Sequence, residues 1–324
     1  MREITFLKIN SEKWQQFEDE LNAKKKSNPD ETANLFIQLT NDLSYAKTHF
    51  PKSKTTQYLN GLTAQVHQLI YKNKKESNSR IISFWTYELP LIVKSCHKQL
   101  FSAFLIFVVA CLIGWISAAF DDTFVRLILG DSYVNMTLEN IENDDPMAVY
   151  KKMNQLDMFL AITVNNIRVA FIAFILGVFF SIGTGYVLLN NGIMLGSFQY
   201  FFFAKGVLLQ SLLTIWIHGT LEISVIIIAG GAGLVMGNSI LFPGTYSRGV
   251  SFIRGAKKGL KIVIGLVPIF IVAGFLEGFV TRHTEMPIWL SLLIIGGSLS
   301  FIIWYFIIYP ITLYKKIQNY GSEI

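Results

Sequence analysis

Apolar residues recur along the chain in two different ways, and the change falls near residue 100. Before it they sit at helical intervals in otherwise polar segments: Trp14, Phe17 and Leu21 in 10–24; Leu35, Phe36, Leu39 and Leu43 in 31–46; Tyr58, Leu59, Leu62, Val66, Leu69 and Ile70 in 55–73. Each pattern predicts an amphipathic helix with one stripe to bury, most simply against the other two. Residues 24–29 and 49–53 separate the helices as turns, with Asp30 and Ser53 available as N-caps. A polar linker, 72–79, follows. Residues 80–100 then mix Trp85, Tyr87 and apolar positions with Lys94, His97 and Lys98, as an elbow helix lying in a membrane interface would. Pro90 predicts a kink in it.

Beyond residue 100 the pattern is one of long uninterrupted runs. Stretches 101–120, 169–204 and 286–314 contain no Lys, Arg, Asp or Glu, and a bilayer-crossing helix needs about 20 apolar residues. Charge orients these runs. Residues 1–98 hold 15 Lys and Arg against 10 Asp and Glu, whereas 121–157 hold 3 against 8. Arg248, Arg254, Lys257, Lys258 and Lys261 form a basic cluster without an acid, and Lys315 and Lys316 follow the last run. The positive-inside rule therefore places the basic segments in the cytoplasm and the acidic loop outside.

The resulting expectation is an all-α polytopic membrane bundle behind a soluble helical domain: a cytoplasmic bundle at 1–79, the elbow at 80–100, and a transmembrane domain at 101–324 with an external loop at 121–157. Spans are expected at 101–120, 168–189, 262–280 and 287–310. Between them, 190–240 must leave the cytoplasm and return, as two spans or as one span and a re-entrant piece, with a break near His218 and Gly219. Gln199, Lys205, Gly206 and Gln210 dilute 193–217, the segment whose crossing is least determined. Six crossings leave both termini in the cytoplasm, in a bacterial cytoplasmic membrane. No apolar h-region precedes residue 101, so the first span is expected to act as the targeting signal.

Composition agrees with lipid solvation, at 52% hydrophobic and 15% charged residues. Only two cysteines are present, Cys96 and Cys111, which argues against a disulfide framework or a structural zinc site. The chain's net charge is +6, the basic excess of the N-terminal domain is diluted by acids, and no nucleic-acid module is evident.

Small residues recur four apart at Gly192 and Gly196, Gly233 and Gly237, Gly255 and Gly259, and Gly274 and Gly278, a spacing that lets helices approach closely in lipid. Gly230 and Gly231 extend this packing surface. They are no phosphate loop, because no Lys-Ser/Thr follows. Intramolecular packing is the first reading and a homo-oligomer interface the second.

Ionisable residues inside or at the ends of spans are costly and mark candidate sites. Arg168, His218, Glu222 and Glu277 are expected at similar depth near the outer face, as one polar cluster; Lys205 lies at a span end. His218 and Glu222, four apart, share a helix face. Asn165, Asn166, Asn190 and Asn191, near the two ends of the second span, are supporting polar residues. A His-Glu-x-x-His motif is absent, and the sequence names no third metal ligand. No metal, cofactor or catalytic residue is therefore assigned.

Several short motifs in order carry a family resemblance. These are Asn165-Asn166-Ile167-Arg168, Leu188-Leu189-Asn190-Asn191-Gly192-Ile193-Met194-Leu195-Gly196, His218-Gly219-Thr220-Leu221-Glu222 with the glycines after it, and Leu276-Glu277-Gly278-Phe279. Over about 100–310 the chain resembles the stage II sporulation protein M family. Its N-terminal helices, with Asp42-Leu43-Ser44-Tyr45-Ala46 and Tyr58-Leu59-Asn60, look like a longer, Bacteroidetes-like form from non-sporulating bacteria. The resemblance implies a membrane component that helps assemble an envelope complex with peptidoglycan-degrading partners and is not itself the hydrolase. The added N-terminal domain departs from the sporulation member, so a role in spores is not carried over.

Three functional readings follow. The leading one is a non-enzymatic membrane component that organises or supports an envelope-associated complex, docking membrane or cytoplasmic partners through its N-terminal domain. A transporter or channel for a small solute or ion, using Arg168, His218, Glu222 and Glu277, is the alternative. An intramembrane hydrolase is the third, and it lacks a nameable nucleophile or metal.

Overall fold

A computed structural model describes residues 1–22, 29–72, 79–151 and 153–322, which are helical with connecting turns and contain no strand. The chain divides into two units, Met1–Arg80 and Ile81–Ile324.

The first unit consists of α1 (Glu3–Asn22), α2 (Pro29–His49) and α3 (Lys54–Lys72). The expected stripes meet in one core of Phe6, Trp14, Phe17, Leu39, Leu43, Ala46, Leu59, Leu62 and Val66. Trp14, almost fully buried, keeps its indole N–H satisfied by donating to Asp42 Oδ2 at 2.8 Å, and Lys13 pairs with the same carboxylate at 2.5 Å. Ser53 caps α3 as expected, its Oγ accepting from the amides of Thr55 and Thr56. Tyr58 departs from the expected stripe: it is exposed and donates to Glu18 at 2.9 Å. The side chains of Leu21, Asp30, Leu69 and Ile70, and segments 23–28 and 73–78 with most of the expected turn and linker, lie outside the described residues.

The second unit holds six helices long and apolar enough to cross a membrane, so the chain is a multi-pass membrane protein. They are His97–Phe120 (α6), Gln155–Val178 (α9, Gln155–Ile175, and a 3-10 turn), Ile182–Ala204 (α10), Leu208–Leu241 (α11), Arg248–Val280 (α12, Arg248–Phe275, and a π turn) and Ile288–Asn319 (α13, Ile288–Ile303, a π turn and most of α14, Tyr309–Ser322). The count agrees with the sequence; several boundaries do not. The second span runs 155–178 instead of 168–189, because Asn154 caps α9 by accepting from the Leu156 amide at 3.0 Å. Its far end is a tight turn in which Phe180 and Ser181 both take positive φ.

The expected break at His218 and Gly219 is absent, and α11 passes through it without interruption. The chain turns instead at Gly206, whose φ of +74° suits a residue without a Cβ. Residues 182–204 and 208–241 are therefore two separate helices, each long and apolar enough to cross a membrane. The fifth and sixth spans begin at 248 and 288, and the basic cluster forms the first turns of α12.

The helix α11 lies at the centre, against α6, α9, α10, α12 and α13. Its interior face, from Leu221 and Val225 to Ala229 and Ala232, meets Ile262, Val263, Leu266 and Ile269 of α12 and Ala170 and Phe174 of α9. Glycines set the spacing. A Cβ on Gly196 would overlap the Cys111 carbonyl of α6, one on Gly233 the Ala173 carbonyl of α9, and one on Gly237 the Ser181 turn. Gly230 faces Leu188 and Gly231 faces Leu100, while Gly192 meets Ala110.

The elbow consists of α4 (Ser79–Ser83), a π turn (Phe84–Glu88) and α5 (Leu89–Ser95), and the first span starts at His97, four residues before the expected 101. Pro90 explains the turn, because it has no N–H to reach Thr86 in an α-helix or Trp85 in a π turn. Two tyrosines of the last span supply the missing donors: Tyr305 donates to the Trp85 carbonyl at 2.7 Å and Tyr309 to that of Thr86 at 2.8 Å. Lys261 pairs with Glu88 from α12.

The acidic loop is itself helical, with α7 (Asp122–Leu129) and α8 (Asp131–Glu142), and it ends at the Asn154 cap instead of at 157. Val125, Val134 and Met147 of this segment pack on Ala118, Phe201 and Phe202 at the ends of α6 and α10.

Orientation is open to direct measurement. With Cys96 and Cys111 replaced, a cysteine at Asn143 should react with an impermeant thiol reagent added to intact cells, and cysteines at Lys257 or Lys316 should react only after permeabilisation. External labelling at Lys257 would overturn the positive-inside assignment.

Candidate functional site

Three spans contribute to one buried polar cluster. His218 and Glu222 lie one turn apart on α11, Glu277 lies in the π turn that ends the fifth span, and Asn166 lies on α9. Close helix approach brings them together: Gly274 admits Thr163 of α9, and Gly278 admits the Gln155 carbonyl and Phe159. Larger residues at either position would push α9, and Asn166 with it, away from Glu222.

His218 is 4% exposed and Glu277 9%, so their polar atoms depend on one another for partners. His218 Nδ1 lies 2.9 Å from Thr281 Oγ1. The Thr281 hydroxyl donates to the Leu276 carbonyl at 3.1 Å, and the Thr281 amide donates to the same carbonyl at 2.8 Å across the π turn. When the hydroxyl proton stays on Leu276, Thr281 accepts from His218, and the imidazole proton lies on Nδ1 with the lone pair on Nε2. Nε2 faces the Glu277 carboxyl, 3.7 Å from Oε2. Asn166 donates its amide to Glu222 Oε1 in a short hydrogen bond. One ligand-type atom from each of His218, Glu222 and Glu277 lies within 4.8 Å of the other two. The Tyr150 ring closes over the imidazole edge-on, with centroids 5.7 Å apart.

Arg168 does not join the cluster. It lies thirteen residues into α9, exposed on the surface of the bundle, roughly 20 Å from the helix start at 1.5 Å per residue. The early start of α9 is the cause, since it moves residue 168 from the expected span end to mid-helix. Asn165 is likewise exposed. Asn190 and Asn191 lie in the middle of α10 instead of near the ends of the second span; Asn190 is exposed, and Asn191 donates to the Val187 carbonyl of its own helix at 2.8 Å. Of the four asparagines, only Asn166 serves the site.

Thr281 and Tyr150 escaped the sequence reading. Thr281 follows Glu277 by four residues and could have been found by helical spacing, whereas nothing local to Tyr150 connects it with His218. One turn before His218, a cleft of about 230 Å³ lies between α11 and the 281–287 turn, lined by Leu213, Thr214, Ile217, His283, Met286 and Ser291.

The arrangement can hold a proton or a cation between its carboxyls and the imidazole.

The family described as stage II sporulation protein M matches residues 103–282, which take in most of the first span, the next four, and every residue of the cluster. A second family, described as a domain of unknown function (DUF8413), matches residues 4–72. No curated protein and no solved structure matches the chain. The first match extends over more than half of the sequence, and the chain belongs to the stage II sporulation protein M family.

Proposed function

We propose that the protein is a non-enzymatic component of a bacterial cytoplasmic membrane, both termini inside, that organises or supports an envelope-associated complex. The observation that carries this reading is the N-terminal unit. It has a core of its own, separate from the membrane unit, and leaves Ile4, Ile9 and Ile37 on its surface, more than half exposed. Exposed aliphatic residues on a small soluble bundle fit a protein-docking surface. The membrane unit anchors it, and the polar cluster, with its groups turned on one another, ties α9, α11 and α12 together.

Transport of a small cation is the second reading, supported by the cleft that reaches Ile217 beside His218. One pair of measurements separates the two. Full-length chain extracted from its native membrane should migrate on a native gel as a larger assembly than chain lacking residues 1–79, with both inserting equally. Proteoliposomes containing the full chain should show no proton or alkali-cation flux above protein-free vesicles. Equal migration would remove the docking role, and a flux abolished by Glu222→Gln would establish the second reading in its place.

A further inference from the structure

The hydrogen-bond directions in the cluster leave an imbalance. Nε2 of His218 presents a lone pair, and the Glu222 and Glu277 carboxyls present oxygens, all within 4.8 Å. Against these acceptors, the described residues bring the Asn166 amide and a hydrogen bond between the Glu222 and Glu277 carboxyls, which needs a proton on one of them. His218 is 4% exposed, and its Nε2 faces another acceptor, Glu277 Oε2, at 3.7 Å. Converging acceptors of this kind are satisfied by protons on the carboxyls or by a cation among them.

We propose that His218 Nε2 and one carboxylate oxygen from each of Glu222 and Glu277 bind a divalent first-row transition-metal ion of the Zn²⁺ or Mn²⁺ type, joining α11 to the end of the fifth span.

Geometry supports a single small ion. Three atoms lying within 4.8 Å of one another all fall within about 2.8 Å of some common point, and zinc takes His nitrogen and carboxylate oxygen at about 2.0–2.2 Å. Each ligand need move by less than an ångström. The supports are those a metal-bound imidazole requires: Nδ1–H is held at 2.9 Å by the Thr281 hydroxyl, itself fixed on the Leu276 carbonyl, so the ring is braced with its lone pair toward the ion. Asn166 does the same for Glu222. A further helical constraint comes from sequence, since residues four apart on α11 supply two of the ligands from one face.

Ligand type selects the ion class. One imidazole nitrogen with two carboxylates suits zinc, manganese or iron(II), whereas Ca²⁺ and Mg²⁺ favour all-oxygen surroundings. Two carboxylates and a divalent cation also sum to zero charge in a bundle surrounded by hydrocarbon. Two protons shared among the same groups would satisfy the acceptors as well, and the experiment must tell the two apart.

The full-length, tag-free chain is purified in detergent, stripped with chelator and reloaded with Zn²⁺, Mn²⁺ or Mg²⁺; bound metal is measured by mass spectrometry and unfolding by thermal shift. About one Zn²⁺ per chain is expected, with a higher unfolding midpoint in Zn²⁺ or Mn²⁺ than in Mg²⁺, because an ion that binds only the folded state stabilises it. Glu277→Gln and Glu222→Gln keep side-chain shape, so each should still elute as a folded species and lose most of the bound Zn²⁺. The exposed Glu285→Gln should lose none. Should the glutamine variants fail to accumulate, Co²⁺ added to the stripped wild-type chain decides: visible d–d absorption, lost when excess Zn²⁺ is added, is expected. Wild-type chain that holds no Zn²⁺ or Co²⁺, or Glu277→Gln protein that binds as much Zn²⁺ as wild type, overturns the proposal. The first result leaves protons as the positive charge in the cluster.

Discussion

Gly196→Leu should prevent the membrane unit from assembling, and Gly185→Leu, three turns earlier on the same helix, should not. Both positions lie in α10, in similar apolar sequence, so helix propensity and hydropathy change alike in the two variants. What differs is the neighbour. At Gly196 even a Cβ would overlap the Cys111 carbonyl and crowd the Trp115 amide of α6, whereas at Gly185 nothing lies within 4 Å. A flexible side chain can rotate out of the way; a helix backbone can yield only if α6 and α10 separate, and that would also unpack Gly192 from Ala110 and break the hydrogen bond from Ser197 to the Gly114 carbonyl at 3.3 Å. Overpacking of ordinary cores costs about 1–3 kcal/mol, and a clash with backbone belongs at or above the upper end. Protein of this kind usually unfolds irreversibly, so the useful readout is the fraction that survives detergent extraction as a monodisperse species. Gly196→Leu should lose nearly all of it and Gly185→Leu little. Equal survival would show that the α6–α10 interface is not as close as the structure has it.

The same contrast explains what could be read from sequence. Glycines four apart announce close approach, and all four pairs lie against a neighbouring helix or its turn: 192 and 196 on α6, 233 and 237 on α9 and the turn after it, 255 and 259 on α11 with Phe174 of α9, 274 and 278 on α9. Their partners could not be named, because spacing fixes a face and says nothing about what covers it. Span number was legible from apolar runs and charge; span ends were not. Asn165, Asn166 and Arg168 read as the polar margin of a span that begins at 168, yet α9 begins at 155, and these three lie in its middle. His218 and Gly219 read as a break for a similar reason, since a polar residue beside a glycine normally marks an interface. Here the histidine finds Thr281 and Glu277 within the bundle, and the helix has no need to end. Long-range pairing therefore overrides the local signal at the residues that make up the site. His218, Glu222 and Glu277 were named from their types, and Arg168, named by the same rule, lies exposed outside the cluster they form.

Asn165→Leu and Asn166→Leu should have opposite consequences, although the two asparagines are adjacent and chemically identical. Asn166 donates to Glu222, a partner inside the bundle; Asn165 faces outward. Replacing Asn166 removes the amide that reaches the Glu222 carboxyl and leaves it only its hydrogen bond with Glu277 among the described residues; a buried acceptor that loses a donor costs about 1–3 kcal/mol, more where the group is charged. Near the unfolding midpoint, 1 kcal/mol corresponds to about 1.5 °C for a chain of this length, so a fall of roughly 2–5 °C is expected for Asn166→Leu in detergent. Asn165→Leu exchanges an exposed amide for an aliphatic residue on a face between Val164 and Ile172, both exposed, and should leave the midpoint unchanged or raise it slightly. Arg168→Leu tests the same placement from the other side, since a mid-helix arginine with no role in the cluster can be removed without stranding His218, Glu222 or Glu277. Its midpoint should follow Asn165→Leu. If Arg168→Leu instead falls as far as Asn166→Leu, the arginine belongs to the cluster and α9 is rotated from the position described. Double-mutant analysis completes the test: combining Asn166→Leu with Glu222→Leu should recover part of the lost stability, because the second change removes the acceptor that the first left unsatisfied. Arg168→Leu combined with Glu222→Leu should show simple additivity.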